Sequence, residues 1–510
     1  MAEPFKHETK DITVAEKEEK GIITDAEPWT DPTNPAVFAD ELKARLFTLG
    51  KTEEHPGLNT LVLIGDVWHR WDGVKFARIK NDDELRQKYL YPRLKWARYK
   101  TVSTGKEKVP ITKNLNPKKA MLNDIIDPLR GIVFTIEGKD THHMWIQDTN
   151  RNDIPTNGAL IPMENGLLDA NARRLYPHTP NLIATWALPF SYDPKTTCPN
   201  WHAFLDDVLQ VDAHNTGQLE TDPLAKMFLQ QWAGYLISGE TRAHKAVIVT
   251  GAPRAGKGVM ATVFQELMGK ENSEVTTFTN LGSRFGLANI DGKKFTFMSD
   301  SRDGSLNRLA TERLLSLIAN DPMAVEPKGK DITTRRLNTR LMIFSNNVPR
   351  MPDSGNAIGT RFICLDLPKS HVGNEDQGLT DRLLGELPGI LNWALEGLAT
   401  LKANEWVFTS LPQSHKKVLL TVNEQANPLQ VFVNERVNLV PGAKIALNEL
   451  HDAYNQWCND GGYNRINKTT FKERLKALRL NGVKVAERTN MEGHLKKVDA
   501  VKGAMLIPNY

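Results

Sequence analysis

Cysteine is nearly absent from this 510-residue chain: Cys198, Cys364 and Cys458 are its only three. Few, odd in number and far apart, they suit a reducing compartment and leave no Cys-x-x-Cys framework for zinc. Long apolar runs are also missing. None approaches the roughly 20 residues that a membrane-spanning helix needs. The start, Met1-Ala-Glu-Pro-Phe-Lys-His7, lacks the apolar stretch of a signal peptide. No membrane partner is therefore expected, and the expected location is bacterial or host-cell cytoplasm. Neither sign of charge dominates. With a net charge of only +4, any nucleic-acid surface must come from local clustering. Before about residue 240 there is no zinc-finger spacing, no Asp-x-Asp metal pair and no other polymerase-like constellation. What is there is a globular composition, 40% hydrophobic and 25% charged, long enough for three or four domains.

The most informative stretch is Lys245-Ala-Val-Ile-Val-Thr250-Gly251-Ala-Pro-Arg-Ala-Gly256-Lys257-Gly258-Val259. Its apolar run reads as a buried strand that breaks at Gly251. Beyond Gly256 a helical pattern follows, with Val259, Val263, Phe264 and Leu267 on one face. Strand, glycine loop and helix form a phosphate cradle: backbone N–H groups turn inward, the helix dipole adds positive potential, and Lys257 reaches the terminal phosphates. The nucleotide-binding set is then Gly251, Ala252, Pro253, Arg254, Ala255, Gly256, Lys257, Gly258 and Val259. The P-loop pattern places Ser or Thr after the lysine to bind magnesium; Gly258 stands there instead, with Thr262 one helical turn further on.

Downstream, Lys293-Lys-Phe-Thr-Phe-Met-Ser-Asp300 reads as a second strand ending in an acid, which in an NTPase core holds the magnesium ion. The next acid is Asp303, so the general base stays unassigned. A third strand, Arg340 to Phe344, closes on Ser345-Asn346-Asn347, where an amide beside the phosphate loop can orient the γ-phosphate and the lytic water. Loop, acid-ended strand and amide-ended strand follow one another as successive βα units require. Between the last two, Met323 to Thr334 has the form of a hairpin with a basic tip, Lys328 and Lys330. Arg361 then opens another strand.

Elsewhere the chain is less specific. Residues 1 to 34 alternate Glu, Asp and Lys with hardly any apolar content, the composition of a disordered or loosely attached tail. Between Arg86 and Lys119, eleven basic residues face only Glu107, with Tyr89, Tyr91, Trp96 and Tyr99 interleaved. Two readings fit: a nucleic-acid surface of cations and stacking rings, or a solvated helix face whose aromatics turn into the core. Near the end, the order helix, helix, strand, wing, strand suggests a winged helix-turn-helix. Nine basic residues between Lys468 and Lys497 there oppose three acidic ones. Lys468, Lys472, Arg474 and Lys476 fall on or near the recognition helix, suited to duplex or origin DNA; a basic helix that clamps subunits is the competing reading.

With these residues in view, the chain from about Asn165 onward resembles the superfamily 3 helicases, specifically the poxvirus-type and the phage- and plasmid-type primase–helicases. Phe190-Ser-Tyr-Asp-Pro194, Cys198-Pro-Asn-Trp201 and Gly234-Tyr235 are similar to the helical region before that family's motor. Asp300 matches its acidic motif, Asn320-Asp321-Pro322 and the hairpin its distinctive motif, Asn346 its polar sensor and Arg361 its arginine finger. Relatives often carry two adjacent arginines; here Thr360 precedes Arg361, so one arginine must serve. Many relatives also have Gly at the position of Gly258.

The resemblance implies an α/β fold: an AAA+-like P-loop ATPase core with a mainly α-helical N-terminal region and a C-terminal winged helix. The expected divisions are a tail 1–34, an α+β region 35–160 of unassigned role containing the basic-aromatic stretch 86–119, a helical region 161–238, the ATPase core 239–372, a helical segment 373–425 and the winged helix 426–510. It further implies ATP and Mg2+ as cofactors, Lys257, Asp300, Asn346 and Arg361 as the catalytic set with Asp300 on the metal, and a hexameric ring moving on single-stranded DNA. Forked or origin DNA is the expected substrate, and primase, whose chemistry is missing here, would be a separate partner. Two other classes fit parts of the pattern: an initiator ATPase that melts origins without processive unwinding, and a non-enzymatic DNA-binding assembly protein.

Overall fold

The computed structural model describes residues 27–50, 57–136, 144–146, 154–155, 160–212, 216–299, 308–329, 331–349, 351, 357–461, 463, 465–490 and 496–507. The chain divides into two compact units, residues 1–194 and 195–510.

In the first unit, Asn34 caps helix α1 (Pro35–Leu46), its side chain accepting from Val37 N, with proline at the first helical position. Strands β1 (Leu61–Ile64), β2 (Val67–Trp71) and β3 (Phe76–Arg78) follow as an antiparallel meander. A helical stretch over 82–94 leads to the hairpin β4 (Arg98–Val102) and β5 (Pro110–Asn114), then α2 (Lys119–Ile132) and β6 (Phe134–Ile136). Strand β6 lies parallel to β1, giving the sheet order β3-β2-β1-β6. Phe38 and Leu42 of α1 and Ile125 and Leu129 of α2 share one core with Trp68, Leu85 and Leu90.

Two expectations for this unit need correction. Residues 27–34 belong to the fold and not to a loose tail: Trp29 is buried, stacks on Phe38 at 5.4 Å and bridges β4 through Arg98 O and Lys100 N. One large ring among charged neighbours is enough to anchor the segment. Likewise the region expected to be helical from 161 begins as an antiparallel meander, β7 (Leu160–Met163), β8 (Gly166–Asp169) and β9 (Arg174–Tyr176). Pro162 disfavours a helix there, and Gly166, at φ +153°, completes the tight turn after β7.

The second unit opens with α3 (Pro199–Val208) and α4 (Pro223–Ser238). Asp222 caps α4 by accepting from Leu224 N and Ala225 N, and Gly239 ends it in the left-handed conformation at φ +76°. There follow β10 (Ala246–Gly251), α5 (Lys257–Met268), β11 (Ser273–Val275), β12 (Phe295–Ser299), α6 (Arg308–Ala319), the hairpin β13 (Pro322–Val325) and β14 (Thr333–Arg336), β15 (Arg340–Phe344), the short α7 (Ala357–Arg361) and β16 (Phe362–Leu367). Five of these strands form one parallel sheet in the order β11-β12-β15-β10-β16. Its central strands are buried along their length, as continuous apolar runs in parallel sheets are. Each fully buried Val or Ile contributes about 1.5–3 kcal/mol.

Helices α8 (Leu379–Leu384) and α9 (Leu387–Ala403) come next, with α9 lying against α4. The helical stretch is interrupted at Gly385-Glu386. The Glu386 carboxylate accepts from Asn200 N and Trp201 N, which start α3. Arg340, buried at the root of β15, donates to Leu236 O and Gly239 O at the C-terminal end of α4. Burial pushes its pKa down to about 10, still far above neutrality, so a full charge meets the negative end of the helix dipole.

The end of the unit comprises α10 (His415–Ala426), α11 (Pro428–Arg436), β17 (Val437–Ala446), α12 (Leu447–Asp460), α13 (Lys468–Ala477), β18 (Lys484–Thr489) and β19 (Val498–Leu506). Pro428, at the first position of α11, separates it from α10. The last three strands pair antiparallel in the order β17-β19-β18 over a core of Phe432, Leu450, Tyr454, Phe471 and Val501.

Contact between α4 and α9 depends on two glycines. A Cβ at Gly397 would lie 1.9 Å from Gln230 O, and one at Gly234 2.6 Å from Ala394 O. Gly397→Ala is therefore expected to separate the helices and cost about 1–3 kcal/mol or more, read as a lower Tm in a thermal melt. An unchanged Tm would show that the backbones are not in close contact.

Candidate nucleotide-binding site

In a parallel sheet every strand points the same way, so loops that follow the strands gather at one edge. The glycine loop lies there, leaving the central strand β10 and entering α5 at Lys257. Gly251 (φ +152°), Arg254 (φ +58°) and Gly256 (φ +87°) take positive φ, a geometry that turns backbone N–H groups to the inside of the loop. Lys257 Nζ donates to Gly251 O and Ala252 O, both at 2.7 Å, so its ammonium rests over the loop it would serve. Such a loop at a helix N-terminus can take an anion.

The outer side of the loop is tied down by the segment after β16. Ala252 N donates to Leu367 O at 3.3 Å, Ser370 Oγ to Pro253 O at 2.8 Å, and His371 N to Arg254 O at 3.1 Å. The His371 ring lies between Arg254 O (Nδ1, 3.1 Å) and Asp207 Oδ2 of α3 (Nε2, 2.7 Å), and Lys369 pairs with the other oxygen of Asp207. Burial works against ionisation of Asp207, but the hydrogen bonds from Lys369 and His371 prevail and hold its carboxyl below the usual range. Beneath the loop, a Cβ at Gly256 would meet Val208 Cγ1 at 2.9 Å and Phe204 Cε2 at 3.1 Å. Backbone strain at Arg254 is thus balanced by contacts on two sides. Reading the sequence missed Asp207, Lys369, Ser370 and His371. The run Lys369-Ser-His371 just past a strand was its only trace; Asp207 is brought in by tertiary packing.

At the same edge, Ser299 ends β12 in register with Phe344 of β15. Asp300, the next residue and expected metal ligand, lies outside the described residues. Ser345 N donates to Val249 O of β10 at 3.0 Å, which sets exposed Asn346 next to the strand that carries the loop. A Cβ added at Gly258 would meet nothing within 4 Å, and the Thr262 hydroxyl donates to Gly258 O at 3.0 Å. Among the described residues no group of three or more His, Cys, Asp or Glu side chains could hold a metal ion.

Arg361 lies at the opposite edge. It directly precedes Phe362, which pairs with Ala246 at the start of β10. The structure therefore joins Lys257 and Asn346 but separates Arg361 from them by the length of a strand. Lys245 Nζ donates to Thr360 O at 2.6 Å, and its pKa is lowered by burial and then by the Arg361 charge. His415 Nδ1 accepts from Cys364 N at 3.1 Å. Arg361 Nη1 is buried with no hydrogen-bond partner among the described residues.

The remaining expected residues are dispersed. Lys328 is exposed at the β13–β14 turn, where Gly329 takes φ +75°; Lys330 lies outside the described residues. On α13, Lys468 and Lys476 are exposed and Arg474 is half-buried, while Lys472 pairs with Asp499 at 3.6 Å.

Comparison with known proteins agrees with a relationship to D5-like proteins. A family model described as D5 N terminal like matches residues 59–210, and one described as Poxvirus D5 protein-like matches 424–499. Between them, a family of unknown function, DUF5906, matches residues 249–361, which include the glycine loop. Two solved apo structures of the NrS-1 C-terminal region are each 14% identical to this chain. One covers 86% of this chain and 95% of its own at a TM-score of 0.45; the other covers 87% and 95% at 0.44. That likeness carries no functional information.

Two outcomes follow from the site. Gly256→Ala, strained at positive φ and crowded by α3, is expected to cost about 2–4 kcal/mol, read as a lower Tm in a thermal melt. Gly258→Ser, with open space around it, is expected to keep the wild-type melt; a large loss of Tm would contradict that space. The second concerns His415, whose pKa is held below its ordinary 6.5 by burial and then by the Lys245 and Lys416 charges. The unfolded chain takes up this proton first, so the histidine's contribution to stability is complete above pH 6.5 and is lost as pH falls through that value toward the folded pKa. In urea denaturation, wild type should lose more stability than His415→Gln between pH ~7.5 and ~5.5; equal losses would exclude it.

Proposed function

We propose that the chain is an ATP-dependent DNA helicase of the D5-like primase–helicase kind, serving replication of a phage, virus or mobile element. The observation that carries this reading is the order of the parallel sheet. With β10 between β15 and β16, the glycine loop, the end of β12 and Asn346 share one edge while Arg361 takes the other. In this reading residues 239–372 are an AAA+-like motor of superfamily 3, and 426–510 are a winged helix.

ATP is assigned to the loop Gly251 to Val259, with Lys257 drawn from its resting carbonyls onto the terminal phosphates. Asp300 is assigned to Mg2+, which would supply charge neutralisation on the phosphate oxygens, and Asn346 to orienting the attacking water. The six residues of β10 set Arg361 roughly 20 Å from its own loop, farther than an arginine side chain extends. That separation supports a role in trans, in which Arg361 completes the site of the next subunit in a ring, assigned as a hexamer. The positive surroundings of Lys245 and Arg361 suit an incoming phosphate. Lys328 and Lys330 are assigned to single-stranded DNA, and Lys468, Lys472, Arg474 and Lys476 to forked or origin DNA, with Lys472 first released from Asp499. A separate primase is the implied partner.

Lys257→Ala and Arg361→Ala are each expected to lose ATP hydrolysis, Arg361→Ala by about 10³–10⁵-fold, and to stop displacing a strand from forked DNA. Mixing the two variants should restore some hydrolysis, because some interfaces then unite an intact Lys257 with an intact Arg361. Hydrolysis by Arg361→Ala at the full rate would overturn the trans assignment. Hydrolysis by wild type without strand displacement would favour an origin-melting initiator.

A further inference from the structure

The first unit carries a surface that the nucleotide site does not use. Along Trp96 to Val102 exposure alternates without a break: Trp96, Arg98, Lys100 and Val102 are exposed, Ala97 is buried, and Tyr99 and Thr101 are half-buried. Within β4, side chains two apart share a face about 6.5–7 Å from one another, so Arg98 and Lys100 stand in a row, and Trp96 lies in the turn two residues before the strand.

The interleaved aromatic residues divide between two fates. Tyr89 and Tyr99 pack against the core of the unit, as a plain structural role would require. Trp96 does not. It is 76% exposed, the most exposed large apolar side chain among the described residues, and Tyr91 in the preceding helical turn is also exposed. Lys95 Nζ lies 5.4 Å from the Trp96 ring centroid.

The charges divide in the same way. Arg86 pairs with Asp83 and Lys88 with Glu84. Lys95, Arg98 and Lys100, and Lys106 and Lys108 in the β4–β5 turn, are exposed and have no carboxylate partner among the described residues. The surface therefore combines a solvent-exposed indole, with the Lys95 ammonium over it, and cations without a carboxylate partner, and no acid of the hairpin except Glu107 opposes them.

We infer that the exposed face of β4, together with Trp96 in the turn just before it, binds single-stranded nucleic acid, one base stacking on the indole while Lys95, Arg98 and Lys100 hold the phosphates. Charge selects a polyanion, and the exposed ring selects one whose bases are not already stacked on both sides. A duplex offers phosphates but no free base face, so the ring would contribute nothing there. The surface is independent of the helicase reading: it lies in the other unit and is tested without nucleotide.

The test is fluorescence anisotropy of the full chain, without ATP, on labelled oligothymidine, oligouridine and a duplex of equal length. Trp96→Ala should weaken binding to the single strands roughly 5- to 150-fold, the range one stacked base supplies, and leave duplex binding unchanged. Trp96→Phe, which keeps a ring, should retain most of the affinity. Arg98→Glu combined with Lys100→Glu should lower the salt dependence of single-strand binding. Ultraviolet crosslinking of wild type to oligothymidine should place an adduct on the peptide containing Trp96. Wild-type affinity in Trp96→Ala, an equal loss on duplex and single strands, or adducts only elsewhere in the chain would each overturn the inference. Trp96 is exposed, so its replacement should leave the thermal melt unchanged, which separates loss of binding from loss of fold.

Discussion

The second unit depends on one constraint: five strands run parallel, with the loop-bearing strand flanked on both sides. A parallel arrangement sends all strand ends to one edge and all strand beginnings to the other. That single fact brings the loop after Gly251, the end of β12 and Asn346 together, although long stretches of sequence separate them. It also keeps Arg361 and Lys245 away from them, because both precede their strands. Burial of the central strands makes the arrangement rigid. A shift of one residue in register would turn Lys245 or Arg361 into the sheet.

The loop itself is held from outside. Its carbonyls at Pro253 and Arg254 accept from Ser370 and His371, and Asp207 ties that segment to α3. Ala252 N is also spent on the outer side, on Leu367 O; loop N–H groups not engaged there are what such a loop can offer an anion. Phe204 and Val208 close the floor beneath Gly256. The helices before the sheet and the strap after it therefore act on the same loop, one from below and one from outside.

The opposite edge has a different character. Lys245 and Lys416 bring positive charge to His415, Arg361 brings it to Lys245, and burial lowers the pKa of both Lys245 and His415. Like charges gathered at a partly buried edge are costly unless an anion is to meet them. The first unit repeats the theme on a simpler scale, with cations on one strand face and an exposed indole in the turn just before it. In both places the informative feature is a group left without its usual cover.

Local chemistry was legible in the chain. A buried apolar run followed by Gly251, Gly256 and Lys257 announces a strand, a glycine loop and a helix, because the glycines and the periodicity act over a few residues. Arg361 before a strand, the basic hairpin at Lys328 and the helix–strand order of the C-terminal segment were legible for the same reason. Long-range pairing was not. Nothing near Asp207 indicates that it meets His371, and nothing near Trp29 indicates that it is buried against Phe38 and β4. The meander from Leu160 reads as helix in the sequence because its apolar residues fit either period, and Pro162 and Gly166 decide only once the strands have partners. The basic aromatic stretch left two readings open, and burial settled each ring separately: Tyr89 and Tyr99 inward, Tyr91 and Trp96 outward. Residue type and spacing therefore specify which local structures can form, whereas which of them meet, and which side chains stay uncovered, depends on contacts between segments distant in the chain.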